Sequence, residues 1–80
     1  MSTFEVRVKF LVKKAPLILR VPRPVTDDAI EAAIAKATHR RGIYAVESTD
    51  DYAGIVMDFI SGAYVGNFLI MPGSEQAATA

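Results

Sequence analysis

Apart from Leu11, the segment from Phe4 to Val12 alternates between apolar and charged side chains. Glu5, Arg7 and Lys9 occupy odd positions, and the even positions hold Phe4, Val6, Val8, Phe10 and Val12. A period of two with aromatic and β-branched residues indicates a strand with one buried face. Such a strand needs partner strands and a covering layer, so the chain is expected to build a sheet with one face packed on a core.

A second strand is predicted directly after the first. Lys14, Ala15 and Pro16 form the expected turn, because proline removes a ladder donor and restricts the residue before it. Leu17–Val21 then closes a hairpin that spans Phe4–Val21. Pro22 and Pro24 end the strand, since two prolines so close together do not fit a central strand.

One helix is predicted over about residues 27–41. Thr26 is a favourable N-cap, and Asp27 and Asp28 place negative charge in the first turn, where the helix dipole favours it. Gly42 is the expected left-handed residue after the last turn. The apolar stripe at helical spacing consists of Ala29, Ile30, Ala33, Ile34 and Ala37. Its small side chains favour close packing on a sheet.

Three further strands are predicted after the helix, over residues 43–47, 53–60 and 63–71. Ser61 and Gly62 form the expected tight turn of a hairpin between the last two. A helix from about residue 50 to Ser61 is the alternative, although Gly54 and the β-branched residues of this stretch favour a strand.

These elements predict an α+β fold, an antiparallel sheet with one helix packed on one face, in the order ββαβββ. Residues 1–72 are expected to form a single domain and residues 73–80 a disordered tail. Apolar residues make up 51% of the 80, which supplies a core without the help of disulfides, because the chain has no cysteine.

The charges divide unevenly along the chain. All nine Lys and Arg residues precede Gly42, where four acidic residues leave a net charge of +5. The remainder of the chain has five acidic residues and no basic one, a net charge of −5. This asymmetry bears on partners and association rather than on the fold.

The basic residues of the hairpin are the main candidate for a binding surface. In an antiparallel hairpin, Arg7, Lys9 and Arg20 share one face, and the stripe that they form with the turn is roughly 20 Å long. It suits a phosphate backbone or an acidic protein surface, or it is a solvated face that discourages edge pairing. The full candidate set is Arg7, Lys9, Lys13, Lys14, Arg20, Arg23, Arg40 and Arg41. A second candidate, an acidic patch, consists of Glu47, Asp50, Asp51 and Asp58.

No pattern in the chain predicts catalysis. His39 is the single histidine, and no nucleophile or orienting carboxylate lies near it in sequence. The acidic pairs do not match a calcium loop, and the glycines do not match a phosphate-binding loop. We therefore expect no enzyme activity, no catalytic residue, no metal and no cofactor.

A cytoplasmic location without membrane contact is expected, because the chain lacks cysteine and a signal peptide and its apolar runs are too short to span a bilayer. Self-association into a homodimer is a further expectation, with Tyr44, Tyr52 and Tyr64 at the interface and pairing along the last strand.

The layout of the chain resembles small phage-encoded anti-CRISPR proteins that block type I interference complexes. The similarity lies in the hairpin Phe4–Val21, the helix Thr26–Gly42 and the strands of Ile43–Met71. It implies a non-catalytic, stoichiometric inhibitor of a nucleic-acid-handling complex, with a Cas effector complex as the protein partner. The alternative function is a nucleic-acid-binding module that uses the basic hairpin.

Overall fold

The structure, a computed structural model, describes residues 2–77. For residues 76 and 77 it describes the backbone alone. Its elements in chain order are β1 (Ser2–Phe10), β2 (Leu17–Pro22), α1 (Asp27–Thr38), β3 (Tyr44–Ser48), β4 (Ala53–Asp58), β5 (Tyr64–Ile70) and β6 (Gln76–Ala77). The predicted α+β class and the order ββαβββ are confirmed, with β6 as an addition at the end of the chain.

The sheet is antiparallel and has the strand order β2-β1-β5-β4-β3. Strand β5 therefore lies in the middle, between β1 and β4, whereas β2 and β3 are the two edges. Helix α1 connects the edges and packs against both edge strands. The turns after β1 and β4 and the chain entering β3 all lie at one end of the sheet, which we call the apex.

One face of the sheet packs against α1 to form the core. Val6 and Val8 of β1 are fully buried there, together with Ile30 and Ile34 of the helix. The remaining core residues are Phe10, Leu19, Val21, Val46, Val56, Phe68 and Ile70. The opposite face, which we call the open face, has no helix of residues 2–77 packed on it.

Helix α1 begins where the sequence predicts and ends earlier. The Ala29 amide donates to Thr26 Oγ1 over 3.2 Å, which confirms Thr26 as the N-cap. The helix ends at Thr38, and His39 adopts the left-handed conformation with a φ of 58°. The prediction that the helix extends to residue 41 is therefore wrong. Gly42 also has a positive φ, but it lies in the loop that follows.

Strand β1 ends at Phe10, so the predicted inward position of Val12 is wrong. The Leu11 amide still donates to the Val65 carbonyl over 2.9 Å, and the Lys13 amide then closes a turn onto the Phe10 carbonyl. The chain leaves the sheet at that turn. Val12 consequently projects from the apex instead of joining the core.

Residues 53–58 form strand β4, so the strand interpretation is confirmed and the alternative helix is wrong. The predicted extension of this strand to Ile60 is also wrong. The Asp58 amide donates to the Ala63 carbonyl over 2.8 Å, and this bond closes a loop that includes Phe59 and Ile60. The turn is therefore wider than the predicted two residues Ser61 and Gly62.

The end of the chain differs from the predicted disordered tail, which begins at residue 73. Gln76–Ala77 forms β6, paired with Ser2 and Thr3 of β1. Earlier in this segment, the Ser74 hydroxyl accepts the Glu5 amide over 2.9 Å, so the chain after β5 is tied to the first strand. Residues 78–80 lie outside the described residues.

Candidate binding surface

The open face of the sheet carries the cationic residues of the predicted hairpin stripe. The register pairs Glu5 with Arg20 and Arg7 with Ile18, and directly opposite residues of an antiparallel pair share a face. Arg7, Lys9 and Arg20 therefore lie on the open face together, as the alternation of the sequence predicts. The face is cationic on the side of β1 and β2.

Two exposed aliphatic side chains flank Arg7 on this face. Arg7 is opposite Ile18 of β2 on one side and opposite Leu69 of β5 on the other. Ile18 is 51% exposed and Leu69 is 45% exposed. A row of three side chains, aliphatic, cationic and aliphatic, thus crosses three neighbouring strands. A combination of arginine and apolar area is typical of the centre of protein interfaces.

A shallow depression of about 290 Å³ lies beside this row. Its walls include Arg7, Lys9, Asn67, Leu69 and Pro16. Lys9 and Asn67 are cross-strand partners, so the depression combines cationic and amide donors with aliphatic surface. These groups are chemically suited to accept an acidic side chain that enters with part of its aliphatic stem.

Several of the basic residues already have intramolecular partners. Arg7 Nε lies 2.6 Å from a carboxylate oxygen of Glu5, and Lys9 Nζ donates over 2.7 Å to the carbonyls of Lys13 and Lys14. The Arg7–Glu5 ion pair is exposed on the Arg7 side, and a pair of this kind contributes little to folding. Lys9, in contrast, holds the β1–β2 turn in shape.

Arg20 and Arg23 are tied to the end of the sheet opposite the apex. The Arg20 guanidinium donates to the hydroxyl and carbonyl of Thr3 and to the Ser74 carbonyl. Arg23 pairs with Glu75 over 2.9 Å. Both arginines thus anchor the segment after β5 to the hairpin. They are separated from Lys13 and Lys14, which lie in the turn at the apex.

Arg40 and Arg41 lie apart from the open face. They follow the end of α1 and line a shallow depression with Tyr44 and Phe59. The predicted basic set is therefore divided among three places, the open face, the end opposite the apex and the apex itself.

The predicted acidic residues do not form a single patch. Asp50 and Asp51 precede β4 and Asp58 ends it, so they are separated by the length of this strand, roughly 17 Å. The amides of Ile60 and Ser61 both donate to Asp58 Oδ1 over 2.9 Å. The Ser61 backbone hydrogen bond is the main reason that the pKa of Asp58 is lowered. This carboxylate therefore caps its own loop.

Two of the three tyrosines predicted at an interface are half exposed. The Tyr44 ring packs instead against Phe10, with ring centroids 5.2 Å apart, and Tyr52 and Tyr64 are the exposed pair. Pairing of two chains along β5, the strand predicted for this role, is wrong because β5 is central in the sheet.

The two real edges of the sheet are obstructed. Pro22 lies within the edge strand β2, where it removes a backbone donor. At the other edge, the carboxylate of Asp27 accepts both the amide and the hydroxyl of Ser48. The start of α1 thus covers the end of β3, so each edge has one position where a further strand cannot pair.

The sequence pattern does not predict the exposed apolar residues at the apex. Leu11, Val12, Phe59 and Ile60 continue strand-like patterns, so alternation and β propensity assign them to strands. Ser61 and Gly62 do indicate a turn at this place. A loop wider than these two residues takes Phe59 and Ile60 out of the sheet, and this width is what the sequence pattern does not show.

His39 is exposed at the end of α1, and its backbone role as the helix C-cap accounts for its place in the fold. Within residues 2–77, no cluster of three or more His, Cys, Asp or Glu side chains has the arrangement of a metal site. In the same part of the chain, the one helix is too short to cross a membrane.

Comparisons with known proteins found no matching family model, no similar curated protein and no similar solved structure.

Proposed function

We propose that this chain is a non-catalytic binding protein whose open face contacts an acidic surface of a protein partner. The observation that carries the proposal is Arg7 between the exposed side chains of Ile18 and Leu69. Together with the layout resemblance, it favours a stoichiometric inhibitor of a nucleic-acid-handling complex, with a type I Cas effector complex as the partner.

The chemistry of the row supports a protein partner. Arginine is among the residues that contribute most to protein interfaces, and burial of the aliphatic neighbours excludes water from its ion pair. Glu5 neutralises Arg7 in the isolated chain. A partner carboxylate therefore replaces one ion pair with another, and the net gain comes from burial of Ile18 and Leu69.

Nucleic-acid binding by the basic hairpin is the second candidate. Lys13 and Lys14 are exposed at the turn, and Arg7 and Lys9 extend the positive charge along β1. Sheets that bind single strands stack bases on aromatic side chains. On β1 and β2, the open face carries no aromatic residue between Thr3 and Lys9 or between Leu17 and Pro22, which favours the protein partner.

A titration with a purified type I interference complex tests the proposed function. The protein is added before target DNA, and the bound fraction of DNA is measured. We expect inhibition to saturate at a fixed ratio of protein to complex. The double variant Ile18→Asp/Leu69→Asp should weaken inhibition by about tenfold or more, as expected for interface centres.

The matched control is Val12→Asp/Ile60→Asp, which places the same charges on exposed aliphatic positions at the apex. This variant should inhibit as the parent chain does. Absence of inhibition by the parent chain, or equal loss in both variants, contradicts the proposal. Thermal unfolding of each variant verifies that the fold is retained.

Fluorescence anisotropy with single- and double-stranded oligonucleotides tests the second candidate. Binding through phosphates weakens by about 0.7–0.9 log units per log unit of salt for each phosphate neutralised. Salt-dependent binding that is lost in Lys13→Glu/Lys14→Glu supports the nucleic-acid function. Absence of binding at low salt leaves the protein partner as the favoured candidate.

A further inference from the structure

The apex carries four large apolar side chains that project into solvent. Val12 is 92% exposed and Ile60 is 83% exposed, and their neighbours Phe59 and Leu11 are 65% and 63% exposed. They belong to two separate loops, the turn after β1 and the loop after β4. Exposure of this degree at neighbouring loop tips indicates an interaction site rather than incidental surface residues.

Four cations surround these apolar tips. Lys13 and Lys14 follow Leu11 and Val12 directly, and Lys13 Nζ lies 5.5 Å from the centre of the Phe10 ring. On the other side, Arg40 and Arg41 line a depression with Phe59. The arrangement combines projecting apolar groups with a positive border, so its complement is an apolar layer behind an anionic surface.

Two acidic side chains lie among the four cations: Asp58 in the loop after β4, and Glu31 of α1, which lines the same depression as Arg40 and Arg41. The Asp58 carboxylate accepts the amides of Ile60 and Ser61, so part of its charge is compensated by backbone donors. The positive sign of the apex is therefore retained. The charge of the apex therefore favours an anionic partner over a cationic one.

The four exposed apolar side chains of the apex form a broad patch rather than a narrow insertion. The Leu11 amide donates to Val65 of β5, and Phe59 follows β4, the next strand across the sheet. Neighbouring strands are about 4.8 Å apart, so the two loops are offset across the sheet. A wedge between DNA bases uses a narrow insertion at one step. Four projecting side chains on two loops are better matched by a fluid layer.

We propose that the apex binds the surface of an anionic lipid bilayer. Leu11, Val12, Phe59 and Ile60 enter the interfacial layer, and the four cations contact phosphate and carboxylate headgroups. Contact of this kind needs no membrane-spanning segment, so it replaces the expectation of no membrane contact. The inference does not rest on the proposed function, because the open face and the apex use different residues.

Co-sedimentation with vesicles tests this inference with the full chain. The vesicles are pure phosphatidylcholine or the same lipid with about a third replaced by phosphatidylserine, the anionic lipid that attracts basic residues. We expect binding to the anionic vesicles alone at low salt. Lys13→Glu/Lys14→Glu should weaken binding by about 25-fold or more, the product of about fivefold for each of the two cations.

Phe59→Ser/Ile60→Ser tests the apolar contribution and should weaken binding by roughly tenfold or more, since each buried methylene adds to partitioning. The matched control is Ile18→Ser/Leu69→Ser, which removes exposed apolar groups from the open face and should bind as the parent chain does. Absence of binding to anionic vesicles, equal loss in the control, or tighter Phe59-dependent binding to duplex DNA overturns the inference. Thermal unfolding identifies any variant that has lost its fold.

Discussion

At the scale of single residues, His39 shows how the helix ends. The Arg40 amide donates to the Ala35 carbonyl over 3.1 Å, and this bond requires the left-handed backbone at His39, with φ 58° and ψ 31°. A side chain with a Cβ atom is strained in that conformation, which glycine adopts freely. The histidine therefore carries a stability cost at an exposed position.

His39→Gly is expected to stabilise the protein by about 0.5–1 kcal/mol, because relief of the left-handed strain exceeds the added entropy of the unfolded chain. Chemical denaturation measures this difference. The control His39→Ala keeps the Cβ atom and should leave stability close to that of the parent chain. A destabilised glycine variant would mean that the imidazole has a structural role beyond the cap.

Asp58 links a single carboxylate to the shape of the apex. Its hydrogen bonds to the Ser61 and Ile60 amides favour the ionised form, so its pKa in the folded protein lies below the ordinary value of 3.8. Because the pKa of Asp58 is lower in the folded than in the unfolded protein, the ionised carboxylate stabilises the fold at pH values above the ordinary pKa. That stabilisation is lost as the pH falls through the folded pKa.

Asp58→Asn should therefore lower the Tm at neutral pH and have a diminishing effect below about pH 3.8. Thermal unfolding across a pH series compares the two proteins. A difference in Tm that stays constant down to strong acid would contradict the capping role of the carboxylate.

At the scale of elements, two glycines allow the central strands to pack closely. An added Cβ atom at Gly54 would collide with the Phe68 ring and the Glu47 carbonyl oxygen. At Gly66 it would meet the Lys9 carbonyl oxygen of the neighbouring strand. The Phe68 ring thus occupies the space above Gly54, its cross-strand partner in β4.

Gly54→Ala should cost about 1–3 kcal/mol, the usual range for a side chain forced into a filled core. Equilibrium unfolding in denaturant measures this cost. The double variant Gly54→Ala/Phe68→Leu tests the cause, since a smaller side chain at Phe68 should reduce the penalty of the added methyl group. If the losses in unfolding free energy of the two single variants simply add in the double variant, the Phe68 ring is not what excludes the methyl group.

The elements also show which parts of the fold the sequence can predict. Strand β1 and the cap at Thr26 follow from local patterns, and both are present. The end of β4 does not, because Phe59 and Ile60 have high β propensity. They lie instead in a loop closed by two hydrogen bonds, from the Asp58 amide to the Ala63 carbonyl and from the Gly62 amide to the Asp58 carbonyl. The central position of β5 likewise depends on long-range pairing with β1, which no local pattern contains.

The candidate site was predictable to a similar extent. The shared face of Arg7, Lys9 and Arg20 follows from a period of two, and the structure has it. Leu69 lies on β5, 62 residues after Arg7 in the chain, so its place beside Arg7 needs the sheet register. The divided positions of the remaining cations depend on tertiary structure in the same way.

At the scale of the whole molecule, charge is distributed along the direction of the strands. Lys13, Lys14, Arg40 and Arg41 lie at the apex. At the opposite end, the helix start and the β3–β4 turn place Asp27, Asp28, Asp50 and Asp51, which outnumber Arg20 and Arg23 there. The hydrogen bonds of Asp27 to Ser48 bring that turn against the helix start. The net charge of zero therefore hides a separation of charge between the two ends of the molecule. Such a separation affects how the molecule is oriented when it approaches a charged partner.

We propose that the open face around Arg7 binds an acidic protein surface. The most direct measurement is the affinity of Ile18→Asp/Leu69→Asp for the type I interference complex, compared with that of Val12→Asp/Ile60→Asp. We expect a loss of about tenfold or more in the first variant and parent-like affinity in the second. Parent-like affinity in the open-face variant, with both proteins folded, would contradict it.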